Sequence, residues 1–207
     1  MRLTAASARG YVGRVSVLIL NAGLAGREGN SHVIAEHAAA LLQGRSVPHE
    51  LMVLKDALPG EVASALERAE RLVFVSGTYW GGFSSLLQQL FEELTASEGG
   101  KLWLGKPAAV LVSAHQVGAQ SVLWRLQGLL VAFGCAVPPM SGVVISKVGE
   151  QLRRHAPELC QDVWGLADIE TALHNLLAST VRGEFRAWPV DAEHFAERWL
   201  EPERGVP

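Results

Sequence analysis

Three short stretches hold most of the residues able to do chemistry, and each follows an apolar run. The first is "NAGLAGREGNS", residues 21–31. Gly23, Gly26 and Gly29 let the backbone turn sharply and approach a ligand closely. Arg27 brings a planar fork of donors, and Asn21, Asn30 and Ser31 bring side-chain hydrogen-bonding groups. A helix that begins at Ser31 would add free N–H groups and a partial positive charge, so the stretch suits a phosphate. The alternative is that Asn30 or Ser31 caps that helix and Arg27 points to water. The second stretch is "SGTYWGGFSS", residues 76–85, where Thr78, Tyr79, Trp80, Gly81 and Gly82 combine aromatic faces with a permissive backbone. It suits a flat heteroaromatic ring, or else its aromatics fill core or a subunit interface. The third is "SAHQVGAQ", residues 113–120, with Ser113, His115 and Gln116 as polar groups and Gly118 as a pivot. His115 is the candidate proton donor, and a histidine standing alone reads equally as a surface residue.

These loops need strands and helices to hold them. Apolar runs at 15–20, 47–54, 72–75, 108–112 and 143–146 read as strands, the purest of them suited to burial on both faces. Helical patterns lie at 32–42, 61–68, 83–94, 122–133 and 168–181, the last with Asp168 as N-cap and Gly183 as its stop. The alternation predicts a doubly wound α/β fold. We expect a flavodoxin-like three-layer sandwich, a five-stranded parallel sheet in the order 2-1-3-4-5 between helical layers. In such a sheet ligands gather beyond the carboxyl ends of the strands, where all three loops fall. Residues 1–14 read as an N-terminal extension, 15–185 as the domain and 186–207 as a tail. Val190, Phe195, Trp199 and Leu200 would form the apolar face of a short tail helix from Asp191.

Composition excludes several classes. The 207 residues are 49% hydrophobic with a formal charge of −3, which leaves no basic footprint for nucleic acid. No apolar run approaches the length of a membrane span or a secretory signal core, so the expectation is a cytoplasmic protein. The two cysteines, Cys135 and Cys160, form no CxxC, which argues against a disulfide framework, a zinc ribbon or an iron–sulfur cluster. Cys135 reads as inert packing beside Phe133 and Ala136. No HExxH and no GxSxG elbow occur, and we expect no metal site. "GKLWLGKP", residues 100–107, mimics a Walker loop, but Pro107 stands where Ser or Thr is needed and a strand follows.

Taken together the three loops resemble those of the NADPH-dependent FMN reductase family, over roughly residues 14–181. "NAGLAGREGNS" is similar to that family's G-S-x-R-x-x-(G)-N-S. "SGTYWGGFSSLLQ" is similar to T-P-x-Y-W-G-S-x-S-G-x-L-K. "GKPAAVLVSAHQVGAQ", with "LLVAFGCAVPP" after it, is similar to G-K-P, a glycine-rich turn, and a helix ending in a small residue and V-P. The resemblance implies that Arg27, Asn30 and Ser31 hold the phosphate of FMN, with Asn21 and Gly29 also among the cofactor-binding residues. It implies that Thr78, Tyr79, Trp80, Gly81 and Gly82 hold the isoalloxazine side, and that the Ser113–Gly118 loop, with Ser113, His115 and Gly118 as its binding residues, borders the pyrimidine end.

The activity implied is hydride transfer from NAD(P)H through FMN to a small-molecule acceptor, namely a quinone, azo compound, flavin or metal ion. The assembly implied is a homodimer or homotetramer. The chain departs from the family pattern in four places. Asn21–Ala22 replaces Gly–Ser, Ser76–Gly77 replaces Thr–Pro, His115–Gln116 enters a glycine-rich turn, and Gln88 replaces a frequent Lys. Two other readings stay open: an electron carrier, and a flavodoxin-like domain that binds flavin weakly or not at all and works through its surface.

Overall fold

Alternate residues of the apolar runs go to opposite faces of one sheet, and this divides the core in two. The computed structural model describes residues 15–116, 118–159, 163–179 and 185–189. The strands are β1 (Val15–Asn21), β2 (His49–Val53), β3 (Ala69–Gly77), β4 (Ala108–Ala114) and β5 (Gly142–Ser146). All neighbours pair in parallel, in the order β2-β1-β3-β4-β5. This is the flavodoxin-like order expected.

The helices are α1 (Asn30–Gly44), α2 (Pro59–Arg68), α3 (Ser85–Glu93), α4 (Ala119–Phe133), α5 (Lys147–His155) and α6 (Ile169–Ala178). On one face Leu18, Leu20, Phe74, Val110 and Val112 pack with buried residues of α2, α3 and α4. On the other Val17, Ile19, Val73, Val75, Leu111 and Ile145 pack with Ile34, Ala38, Ile169 and Leu173 of α1 and α6. A buried side chain of this size contributes about 2 kcal/mol, so strands apolar on both faces require helices on both. The chain leaves β1 through α1 on one face and returns from β2 through α2 on the other. That reversal makes the carboxyl ends of β1 and β3 the switch point of the sheet.

Several boundaries differ from the sequence reading. β3 is longer than 72–75 because its polar start, Ala69–Arg71, pairs with β1. α1 begins at Asn30, two residues before the expected 32. Asp168 does not cap α6. Its carboxylate accepts from Gly165 N at 2.7 Å and closes the preceding 3-10 turn instead. α5 was not expected at all, because "KVGEQLRRH" carries a glycine and too few apolar residues to signal a helix. The stretch that mimics a Walker loop is a run of turns, and Trp103 within it is wholly buried against Phe91 and Phe133. The expected end of α6 at residue 181, its stop Gly183 and the tail helix from Asp191 lie outside the described residues, as does the extension 1–14. Residues 185–188 lie beside Gly99 and Cys135, at the amino end of β4. Among the described residues no helix is long and apolar enough to cross a membrane.

Candidate functional site

Loop one is shaped by Asn21, the last residue of β1, which is wholly buried. Its Oδ1 accepts from Gly23 N at 3.0 Å, and its Nδ2 donates to Gly26 O at 3.3 Å and lies 3.2 Å from His32 Nδ1. The amide is fully engaged inside the loop, so Asn21 shapes the site rather than facing it. Gly23 permits the loop to touch the start of α1, since a Cβ there would come within 2.9 Å of the Ser31 Cβ. Gly29 is the N-cap of α1, and no side chain caps the helix. The first amides of α1, at Asn30 and Ser31, therefore stand open at the carboxyl end of β1. Asn30 is exposed, whereas Ser31 is buried with its hydroxyl 3.0 Å from that of Ser113. Arg27 does not reach inward. Its Nε bonds Asp56 Oδ2 at 3.2 Å, with both side chains mostly exposed. A pair of that kind is worth well under about 1 kcal/mol and yields readily to a stronger anion.

The second loop, residues 76–85 at the end of β3, folds back on itself. Ser76 Oγ donates to Gly77 O and accepts from Ser84 N. Tyr79 and Gly82 exchange two hydrogen bonds of 2.9 Å around Trp80 and Gly81, whose φ values of 50° and 77° make a tight primed turn. Trp80 therefore stands fully exposed at the tip of the turn. Tyr79 lies across Gly77, where a Cβ would meet its ring at 2.8–2.9 Å, and its hydroxyl accepts from Leu24 N at 2.9 Å. This side chain bridges the first and second loops over the switch point. Thr78 Oγ1 is buried beside it with no hydrogen-bond partner.

The loop after β4 carries exposed His115 and Gln116, with Gly118 at φ +98° opening α4. Asn30, Ser113 and His115 come together on one cavity of about 460 Å³. Tyr79 and Gly82 face a separate, shallower concavity of about 570 Å³ together with Leu24, Phe83 and Arg125. The two concavities share no lining residue, and Asn21, Gly29, Ser31 and Thr78 line neither. Trp80 and Gly81 at the turn tip, Arg27 with Asp56, and Gly118 line neither concavity. Sequence reasoning missed Ser146, Lys147, Glu150 and Arg154, which line the first. They follow β5, and the rule that ligands gather at strand carboxyl ends would have reached them. Among the described residues no group of His, Cys, Asp and Glu is placed to hold a metal.

The start of α1 is open at the carboxyl end of β1, and Thr78 Oγ1, after β3, is buried with no hydrogen-bond partner among the described residues. The family described as NADPH-dependent FMN reductase matches residues 15–150, about two thirds of the chain. The chain belongs to the NADPH-dependent FMN reductase family. At the coarse level this makes it a flavin-dependent oxidoreductase.

Solved structures agree on the fold of this FMN reductase family member. An NADH:FMN oxidoreductase, EmoB, in its apo form is 17% identical with a TM-score of 0.62, over 81% of this chain and 91% of that one. An oxidoreductase from Corynebacterium diphtheriae is 17% identical with a TM-score of 0.60, over 80% and 96%. RosB with bound 8-demethyl-8-formylriboflavin-5′-phosphate is 15% identical with a TM-score of 0.59, over 93% and 98%. No curated protein sequence matches the chain. The residues present fit the phosphate end of the family's flavin, since no side chain among the described residues caps the start of α1.

Proposed function

We propose that the chain binds FMN at the switch point and passes reducing equivalents from NAD(P)H to a small-molecule acceptor. The acceptor would be a quinone, azo compound, free flavin or metal ion. The observation that carries this reading is the uncapped N-terminus of α1 at the carboxyl end of β1. A helix terminus of that kind attracts a dianion through both its N–H groups and its dipole. In this reading the Asn30 and Ser31 amides and the Asn30 side chain take the phosphate, and Arg27 leaves Asp56 to join them. Thr78 and the backbone of Tyr79, Gly81 and Gly82 take the ring side. Ser113, His115 and Gly118 border the far end, with His115 placed to give a proton to a reduced quinone.

Bound FMN supplies the two-electron chemistry, and the chain supplies position and electrostatics. The protein would work in the cytoplasm as a homodimer or homotetramer. A second reading has one observation in its favour. The Tyr79 hydroxyl already holds Leu24 N–H, and if that bridge stays shut the chain acts as an interaction module or a weakly flavinated carrier.

Titration of the purified protein with FMN, followed by flavin fluorescence, tests the reading. One FMN per chain and NADPH oxidation that depends on a quinone support it. Arg27→Ala is expected to weaken FMN about ten- to a hundredfold, as for a hydrogen bond to a charged group, and to leave riboflavin binding unchanged. A protein that rejects FMN overturns the reading in favour of the module, and one that binds FMN without turnover favours the carrier.

A further inference from the structure

Of the helices packed on the sheet face that carries Leu18, Leu20 and Phe74, α4 lies furthest toward the edge strand β5. Its outer side is apolar and uncovered. Trp124 is 63% exposed and Val131 57%, and Gly128 and Ala132 are exposed with them. Offsets of four, seven and eight residues put these positions on one helix face. Nothing among the described residues calls for a glycine at 128. A Cβ there would meet nothing within 4 Å, and glycine is the poorest helix former after proline. What a glycine provides at that place is room for a close approach from outside.

The chain itself returns to the end of this stripe. Ala187 lies against Gly99, where an added Cβ would stand 2.5 Å from the Ala187 Cβ. Phe185, Ala187 and Trp188 share a groove of about 260 Å³ with Val131 and Ala132. Both aromatics stay exposed on its rim. Beyond Pro189 the sequence runs "VDAEHFAERWL", residues 190–200, with Ala192, Phe195, Ala196, Trp199 and Leu200 at helical spacing. From Ala192 to Leu200 is as many residue steps as from Trp124 to Ala132, about 12 Å in a helix. Charge agrees with the match in length. Arg125, next to Trp124, has no carboxylate within ion-pair distance among the described residues, and Glu193 and Glu197 follow the apolar positions of the segment.

We propose that residues 191–201 form a helix that docks on the outer face of α4 in the same chain, with Phe195 and Trp199 closing over Gly128 between Trp124 and Val131. Only Pro189 and Val190 separate the segment from the residues already seated beside Val131. So short a tether holds it at high effective concentration, which favours the chain's own segment over a second copy. No flavin enters this inference, and it stands or falls apart from the function proposed above.

Amide hydrogen exchange over residues 192–200 of the full chain, read by mass spectrometry, tests it. A helix of this length is marginal by itself in water, so its amides are protected only while it is docked. Exchange is expected to be at least about tenfold slower than in a synthetic peptide of residues 189–204. Trp124→Asp with Val131→Asp is expected to remove most of that protection, and so is Phe195→Asp with Trp199→Asp. All four substitutions together are expected to remove no more than either pair, because both pairs break one contact. Gly128→Leu strengthens α4 as a helix while filling the gap, so it should free the segment without loosening the domain. That variant decides the matter if the α4 pair fails to fold. A segment that exchanges as fast as the peptide overturns the proposal, as does protection indifferent to Gly128→Leu and the α4 pair. Protection that fades on dilution also overturns it and puts a second copy on the stripe.

Discussion

Asn21 Nδ2 and His32 Nδ1 face each other at 3.2 Å inside loop one. An amide nitrogen only donates, so His32 Nδ1 must accept and the ring proton sits on Nε2, 3.5 Å from Glu36 Oε1. The pair fixes the tautomer, and the amide in turn holds Gly23 N and Gly26 O. Asn21→Ala would leave these buried groups without partners, at a cost of about 1–3 kcal/mol. Urea unfolding should show that loss. FMN affinity should fall several-fold because the loop before α1 loses its shape.

Tyr79 sets a sharper contrast. Its hydroxyl holds Leu24 N–H, and its ring covers Gly77. Tyr79→Phe keeps the ring and frees one loop-one amide for a phosphate, so FMN should bind several-fold tighter. Tyr79→Ala removes the ring as well, so FMN should bind more weakly. Gly77→Ala drives a Cβ to within 2.9 Å of a rigid ring and should destabilise the fold by about 1–3 kcal/mol. A Phe variant that binds FMN as the parent chain does in a flavin titration would remove the hydroxyl from any role in the site.

The sheet was legible because its signals are redundant. Runs such as "VSVLIL" and "AAVLV" can only be buried on both faces, and the helical patterns between them dictate parallel crossovers. The site was legible in its glycines and less so in its polar groups. Gly23, Gly29 and the Trp80–Gly81 turn do what loop chemistry requires. Asn21 and Arg27 differ because a side chain's partner is a tertiary fact: His32 lies eleven residues on and Asp56 twenty-nine. α5 escaped because its polar sequence carries its meaning only beside the cavity it completes.

Trp80 occupies a left-handed conformation at φ 50° with its side chain fully exposed. For a residue with a Cβ that conformation costs about 1 kcal/mol, and no packing among the described residues offsets it. Trp80→Gly should therefore raise the thermal midpoint by about 2–4 °C, given the chain's size. If the indole packs on a second copy in the proposed homo-oligomer, sedimentation should show weaker association in the same variant. An unchanged midpoint together with unchanged association would refute both claims.

Cys135 supplies a test of the core rather than the site. Burial pushes its thiol from an ordinary value of 9.0 up to about 12, with the Lys106 cation pulling slightly the other way. Between those values the unfolded chain has released the proton and the folded chain retains it, so stability falls as pH rises from 9 to 12. The ceiling on that loss is about 4 kcal/mol. Lys106 moves oppositely. Burial holds its pKa below 10.5, so the folded state sheds that proton first and stability gains with pH up to 10.5. The net decline should therefore be shallow below 10.5 and steep above it. Urea midpoints measured at intervals from pH 8 to 12 should trace this curve, and Cys135→Ala should flatten the steep limb without abolishing the rise from Lys106. A variant whose alkaline limb matches that of the parent chain would mean that water reaches the thiol in the folded state.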